Sequence, residues 1–192
     1  LVSSPASIPP ITSPPIITPE FLAAISFTSC LCVSGKLPGW RFTPSNIPVI
    51  VAIADLGNRL IDDNNATILL FGSEMDLNKE INEKMMNRGI LSSTSNYMDS
   101  MSRLKQCNLF ITNDTTFLHS ASAFKIPVVA IFGYTNYKEL YPWQTEHIIV
   151  RKELDCSPCF YNSPKPASCK WKGSDEFKCI RTIDIKDVYT AC

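Results

Sequence analysis

Residues 107–135 read CNLFITNDTTFLHSASAFKIPVVAIFGYT, and the fold turns on them. The apolar run 108–112 stops at a polar turn, Asn113-Asp114-Thr115-Thr116. Residues 115–124 follow with helical character. A second apolar run, 126–132, opens at Ile126-Pro127 and closes at Gly133. Short strands that are apolar along their whole length belong to parallel sheets covered on both faces. The stretch therefore reads as one strand–helix–strand unit.

The alternation continues outward. Upstream, 66–71 is a strand ending at Gly72, 77–88 a helix stopped by Gly89, and 90–92 a short strand. Asn96 caps a helix running through Lys105. Further back, Asn46 and Pro48 suit a helix start, with Ile50, Ile53, Ala54, Leu56, Leu60 and Ile61 at helical spacing and Asp62-Asp63-Asn64-Asn65 as a turn. Within the apolar segment 21–33, residues 26–33 read as a buried strand. Downstream, 147–151 reads as a strand, the tail from Asp155 as loop, and about 184–191 as a last helix. The expected fold class is α/β: a Rossmann-like, mostly parallel sheet with helices on both faces and an irregular cysteine-rich tail. The Pro-rich stretch 1–34 reads as a linker or remnant of a preceding region, and 35–192 as the domain.

Composition sets the outer bounds. The 192 residues are 45% hydrophobic and 19% charged, with a formal net charge of zero, which is ordinary for a globular chain. No dense Lys/Arg cluster exists, so nucleic acid is not an expected partner. No uninterrupted apolar run reaches transmembrane length. Residues 1–19 are uncharged, lack a basic start and are broken by six prolines, unlike a signal peptide. Lys165, Lys170, Lys172 and Lys178 make the tail mildly basic, which leaves peripheral membrane association open.

Ligands of such sheets bind beyond the carboxyl ends of strands. Three of those ends carry polar or glycine residues: Gly72-Ser73-Glu74, Thr112-Asn113-Asp114 and Phe132-Gly133-Tyr134-Thr135. At the second, a helix begins, and its free N–H groups and dipole favour an anion. Thr115 and Thr116 add hydroxyl donors, and His119 lies one turn beyond Thr115 on the same face. The same residues also fit an ordinary capped helix with Asn113 or Asp114 as the cap.

Residues 107–123 resemble the "NDSG…H-A-A" region of glycosyltransferase family 9, the heptosyltransferase-like enzymes. Residues 126–135 are similar to that family's "vPvvalFGpT", and Tyr141-Pro142 and Cys156-Ser157-Pro158-Cys159-Phe160 to its later "yP" and "CsPCf". The resemblance implies the C-terminal, donor-binding half of a GT-B architecture, two Rossmann-like domains facing across a cleft. It implies a nucleotide-diphosphate sugar donor, ADP-heptose-like, contacted by Asn113, Asp114, Thr115, Thr116 and His119. It places an acidic residue near the donor ribose, with Asp76 the better match and Glu74 the alternative. A helix-start charge explains Asp76 equally well. It places a cation near the diphosphate, with Arg41 in that position and Lys36 competing, while a surface loop cation is the simpler reading. The sequence departs at Thr116, where the family carries Gly, and a Cβ there narrows the approach to phosphate.

The implied reaction is inverting transfer without a cofactor or metal to a lipopolysaccharide or other glycan acceptor. In the family the base comes from the N-terminal domain, so no catalytic residue is named and the chain reads as partial. The implied location is the cytoplasm, including the cytoplasmic face of the inner membrane. Two other readings stay open: a non-catalytic nucleotide-sugar-binding domain, and a zinc-stabilised interaction module. The second arises from Cys156, Cys159, Cys169 and Cys179, which could supply four thiolates, although their spacing is not that of a paired ribbon. Packed free thiols are the preferred reading of these cysteines.

Overall fold

A computed structural model describes residues 22–26, 49–72, 74–92, 94, 96–160 and 169–192. Six parallel strands form its sheet: β1 (Leu22–Ser26), β2 (Thr67–Phe71), β3 (Ile90–Leu91), β4 (Leu109–Asn113), β5 (Val128–Ile131) and β6 (His147–Val150), in spatial order β3-β2-β1-β4-β5-β6. The helices between them are α1 (Val49–Asn64), α2 (Met75–Lys84), α3 (Tyr97–Leu104), α4 (Thr116–Ala123) and the single turn α5 (Tyr137–Leu140). The tail adds α6 (Lys178–Arg181) and α7 (Ile185–Thr190).

The pleat explains why the strands read as unbroken apolar runs. Alternate residues face opposite sides. Ala23, Ile25, Ile68, Leu70, Leu109, Ile111, Val129 and Ile131 meet α1, α2 and α7 on one face. Leu69, Phe71, Phe110, Val128, Ala130 and Phe132 meet α3 and α4 on the other. Phe110 packs edge-on against Phe71, with ring centroids 6.2 Å apart. Each such fully buried side chain contributes about 1.5–3 kcal/mol.

Strand order fixes where a ligand belongs. The chain winds from β1 outward to β3, then returns to the other side of β1 to build β4, β5 and β6. In a doubly wound sheet the crevice lies beyond the carboxyl ends of the strands where this order reverses, here β1 and β4. Ser26 and Thr112 are register partners there, which puts the turn 113–116 at the reversal.

Several expectations are corrected. The first strand is Leu22–Ser26, not 26–33, and it pairs with both β2 and β4. The sheet therefore starts inside the stretch read as a linker, ahead of the boundary expected at residue 35. Helix α1 absorbs Asp62, Asp63 and Asn64, and only Asn65, at φ 52°, turns the chain. Helix α2 starts earlier and ends at Lys84, because Met86 and Asn87 both adopt left-handed φ of 57°. The tail is not all loop, since it contains α6. Asn46, Pro48, Lys36 and Arg41 lie outside the described residues.

Candidate functional site

Strand β4 delivers Thr112 and Asn113, both buried, to the carboxyl edge. Thr112 Oγ1 donates to the Asn113 carbonyl at 3.1 Å and lies 3.4 Å from Thr115 Oγ1. Helix α4 is capped by Thr115 in extended conformation (φ −146°, ψ 169°), not by Asn113 or Asp114, and without a side-chain hydrogen bond to the first turn. The Leu118 N–H turns back to the Thr115 carbonyl at 3.1 Å, and the Thr116 and Phe117 N–H groups at the helix start suit an anion. Thr116 opens the helix with its side chain exposed, and His119 is exposed one turn on.

Asp114 is half-buried. Burial pushes its carboxyl above the ordinary range; a hydrogen bond from the Thr135 hydroxyl and the proximity of His119 pull in the opposite direction. Thr135 is itself buried, just beyond β5. The two motifs at 113–119 and 132–135 thus meet in one contact. Thr135 is absent from the set of residues inferred from sequence, and the signal was present: it is the last residue of the second motif.

Tyr97, at the start of α3, shares a 2.6 Å hydrogen bond with Ser120 and stacks 6.0 Å from Phe117, whose ring lies 6.4 Å from Phe71. An aromatic ladder therefore braces the start of α4 from the core outward.

The strand end at Gly72 lies apart from this group. Gly72, at φ 129°, makes a turn that no L side chain adopts without strain. Asp76 then sits in the first turn of α2, fully exposed, 3.7 Å from Lys79. Glu74 is the half-buried N-cap residue. Strands β2 and β4 flank β1, about 10 Å apart at the usual strand spacing. Asp76 thus shares the carboxyl edge with the turn at β4 and makes the helix-start contact that served as its alternative reading.

The tail folds back onto the end of β5. Ser157 Oγ donates to the Gly133 carbonyl, and the N–H groups of Cys159 and Phe160 both donate to Tyr134 O at 3.0 Å. All six described cysteines are free thiols. Among the described residues no group of three or more His, Cys, Asp or Glu side chains is posed to hold a metal ion. No described helix is long and apolar enough to cross a membrane.

A doubly wound parallel sheet with a polar turn and a helix start at its reversal point defines a Rossmann-like α/β domain. The profile of glycosyltransferase family 9 (heptosyltransferase) matches residues 53–168, more than half of the chain, and the chain belongs to that family. Lipooligosaccharide heptosyltransferase 2 of Campylobacter jejuni is 34% identical over 100 residues, covering 48% of this chain and 31% of that protein. The chain spans about a third of the length of the curated relatives it matches. Among solved structures, Escherichia coli ADP-heptose lipopolysaccharide heptosyltransferase II gives a TM-score of 0.52 at 21% identity, over 74% of this chain and 42% of that one. The iron-containing dodecameric glycosyltransferase TibC of enterotoxigenic Escherichia coli gives 0.61 at 13% identity, over 95% of this chain and 46% of that one. At these identities the two structures bear on the fold alone.

Proposed function

We propose that this chain is the donor-binding part of a heptosyltransferase-like glycosyltransferase, holding a nucleotide-diphosphate sugar whose sugar is passed to a lipopolysaccharide or other glycan acceptor. The observation that carries the reading is the turn at 113–116, set at the reversal of strand order with the buried Thr112 and Asn113 leading into it.

The residue chemistry divides the donor between them. The N–H groups that open α4, the Thr115 and Thr116 hydroxyls and His119 are donors, and suit the diphosphate. An ionised Asp114 can only accept, so it suits hydroxyl groups of the sugar or ribose instead. In the transfer, the acceptor oxygen bonds to the anomeric carbon while its bond to the diphosphate oxygen breaks. The nucleoside diphosphate leaves with the electron pair, and a base takes the acceptor's proton. Donors fixed at the start of α4 would stabilise the charge that builds on the leaving group. No base is assigned within this chain. Asp76 and Arg41 remain proposed donor contacts, at the ribose and the diphosphate. The setting proposed is the cytoplasm, at the membrane face where a water-soluble donor and a glycolipid acceptor can meet.

Calorimetry with nucleoside diphosphates and their sugars tests this. Binding is expected, with marked weakening in Asp114→Ala and His119→Ala. Absence of binding at millimolar ligand, or binding indifferent to both changes, would sink the reading.

A further inference from the structure

Tyr97 is 47% exposed at the start of α3, yet it is held from several sides. Asn96 caps the helix just before it, accepting from the Met98 N–H at 2.9 Å. The Tyr97 ring stacks on that of Phe117, in the first turn of α4, with the two planes tilted by 35°. Its hydroxyl lies 2.6 Å from Ser120 Oγ. An exposed hydroxyl adds little to stability by exchanging water for a protein partner, so the bond to Ser120 calls for another use.

Proton counting fixes the direction of that bond. Ser120 Oγ donates to the Thr116 carbonyl at 2.9 Å. A serine hydroxyl has one proton, so towards Tyr97 it can only accept. The chain therefore runs one way, from the Tyr97 O–H to Ser120 Oγ and from the Ser120 O–H to Thr116 O. The Thr116 carbonyl and the Phe117 N–H belong to one planar, conjugated peptide unit. Hydrogen bonds in series polarise one another, so charge drawn towards the carbonyl oxygen leaves the Phe117 N–H more positive. That N–H is one of the two at the start of α4 that suit an anion. Tyr97 thus holds Phe117 twice, by its ring and through its peptide unit.

We infer that Tyr97 is a positioning residue for the donor's diphosphate: through Ser120 it orients and polarises the Phe117 N–H from which a phosphate oxygen accepts. The inference rests on the donor reading proposed above for the turn at 113–116. Tyr97 itself touches no part of the donor in this role. No proton is transferred along the chain, and each hydroxyl keeps its own. The effect acts on the phosphate end alone and is indifferent to the base and the sugar.

The test uses the whole 192-residue chain with its Tyr97→Phe, Ser120→Ala and double variants. ADP and inorganic pyrophosphate are the probes, read by calorimetry and by NMR of labelled protein. Tyr97→Phe keeps the ring and its stacking, and should leave the Tm near that of the parent chain. It should weaken both probes alike, by roughly two- to fourfold, as expected when one polarising bond is lost behind a bond to a charged acceptor. Ser120→Ala should weaken them at least as much, and the double variant no further, because Tyr97 has then already lost its acceptor. In Tyr97→Phe the Thr116 carbonyl carbon and the Phe117 amide proton should both move upfield, the amide most in the probe-bound state. Packing loss alone would lower the Tm without this pair of shifts. The inference is overturned by unchanged affinity, by unmoved Thr116 and Phe117 signals, or by additive losses in the double variant. A loss with ADP but not with pyrophosphate overturns it too, since that marks a contact with the nucleoside. If the parent chain binds neither probe, the donor reading itself falls, and this inference with it.

Discussion

Thr135→Val removes one hydroxyl and keeps a β-branched side chain of nearly the same shape. Thr135 is buried, and its hydroxyl lies close enough to the Asp114 carboxyl to hold its pKa down against the effect of burial. A hydrogen bond to a charged group contributes about 1.5–3 kcal/mol, and the half-exposed setting of Asp114 favours the lower end. The added methyl returns about 0.8 kcal/mol of burial. The expected net loss is on the order of 1 kcal/mol at pH 7. Its pH dependence carries a sign. The folded Asp114 pKa lies above the unfolded value of about 3.9. Its ionised form therefore costs stability above the folded pKa, and that cost fades as pH falls toward the unfolded value. The Thr135 bond favours the ionised form and reduces this cost. Removing it moves the folded pKa further up, so the deficit of the variant is largest at pH 7 and shrinks near pH 4. Urea denaturation at both pH values, beside an NMR titration of the Asp114 carboxyl, measures both effects. The argument fails if the deficit is equal at the two pH values. It fails also if a cycle with Asp114→Asn gives coupling within the roughly 0.3–0.5 kcal/mol expected of independent sites.

Asp114→Asn should raise the Tm at pH 7, because the half-buried charge is gone, with the gain disappearing in acid; calorimetry should show weaker donor binding in the same protein. Asn96→Ala removes the cap that accepts from Met98 N at 2.9 Å, and should lower stability by about 1 kcal/mol in denaturant titrations. Gly133→Ala brings a Cβ to 2.9 Å from the Ile180 Cβ, overpacking worth about 1–3 kcal/mol. Adding Ile180→Ala keeps that Cβ and removes only the Cδ1 and Cγ1 at 3.4 and 3.5 Å, so it should leave most of the loss of Tm in place.

The unit β4–α4–β5 was legible because local signals agree: each apolar run ends at a turn residue, and the helix start is polar. Strand β1 was misplaced for a physical reason. The segment 21–33 is apolar throughout, and no local feature marks where pairing stops. The register with Thr67–Phe71 and Leu109–Thr112 sets it, and those partners are remote in sequence. The early end of α2 was hidden because Met86 and Asn87 carry no glycine to announce a left-handed turn. At the site, Asn113, Asp114, Thr115, Thr116 and His119 fall together because they follow one another along a strand and a helix. The Thr135–Asp114 contact joins two motifs across β5 and appears only in three dimensions. Asp76 shows the opposite limit: its spacing fits a ribose contact and a helix-start charge equally, and its exposed place in the first turn of α2 is compatible with both.

The end of β5 is where these features become one problem. Tyr134 gives its carbonyl to the tail through Cys159 and Phe160, and Thr135, the next residue, gives its hydroxyl to Asp114. Thr135 also bridges Phe160 in parallel fashion. This short segment therefore serves the tail through the Tyr134 carbonyl and the Thr135 bridge, and the β4 turn through the Thr135 side chain. Its backbone cannot shift toward one without moving the other. The tail is therefore more than an appendage on the sheet. Whatever fixes it fixes the Thr135 hydroxyl, and with it the geometry of the turn that faces the crevice.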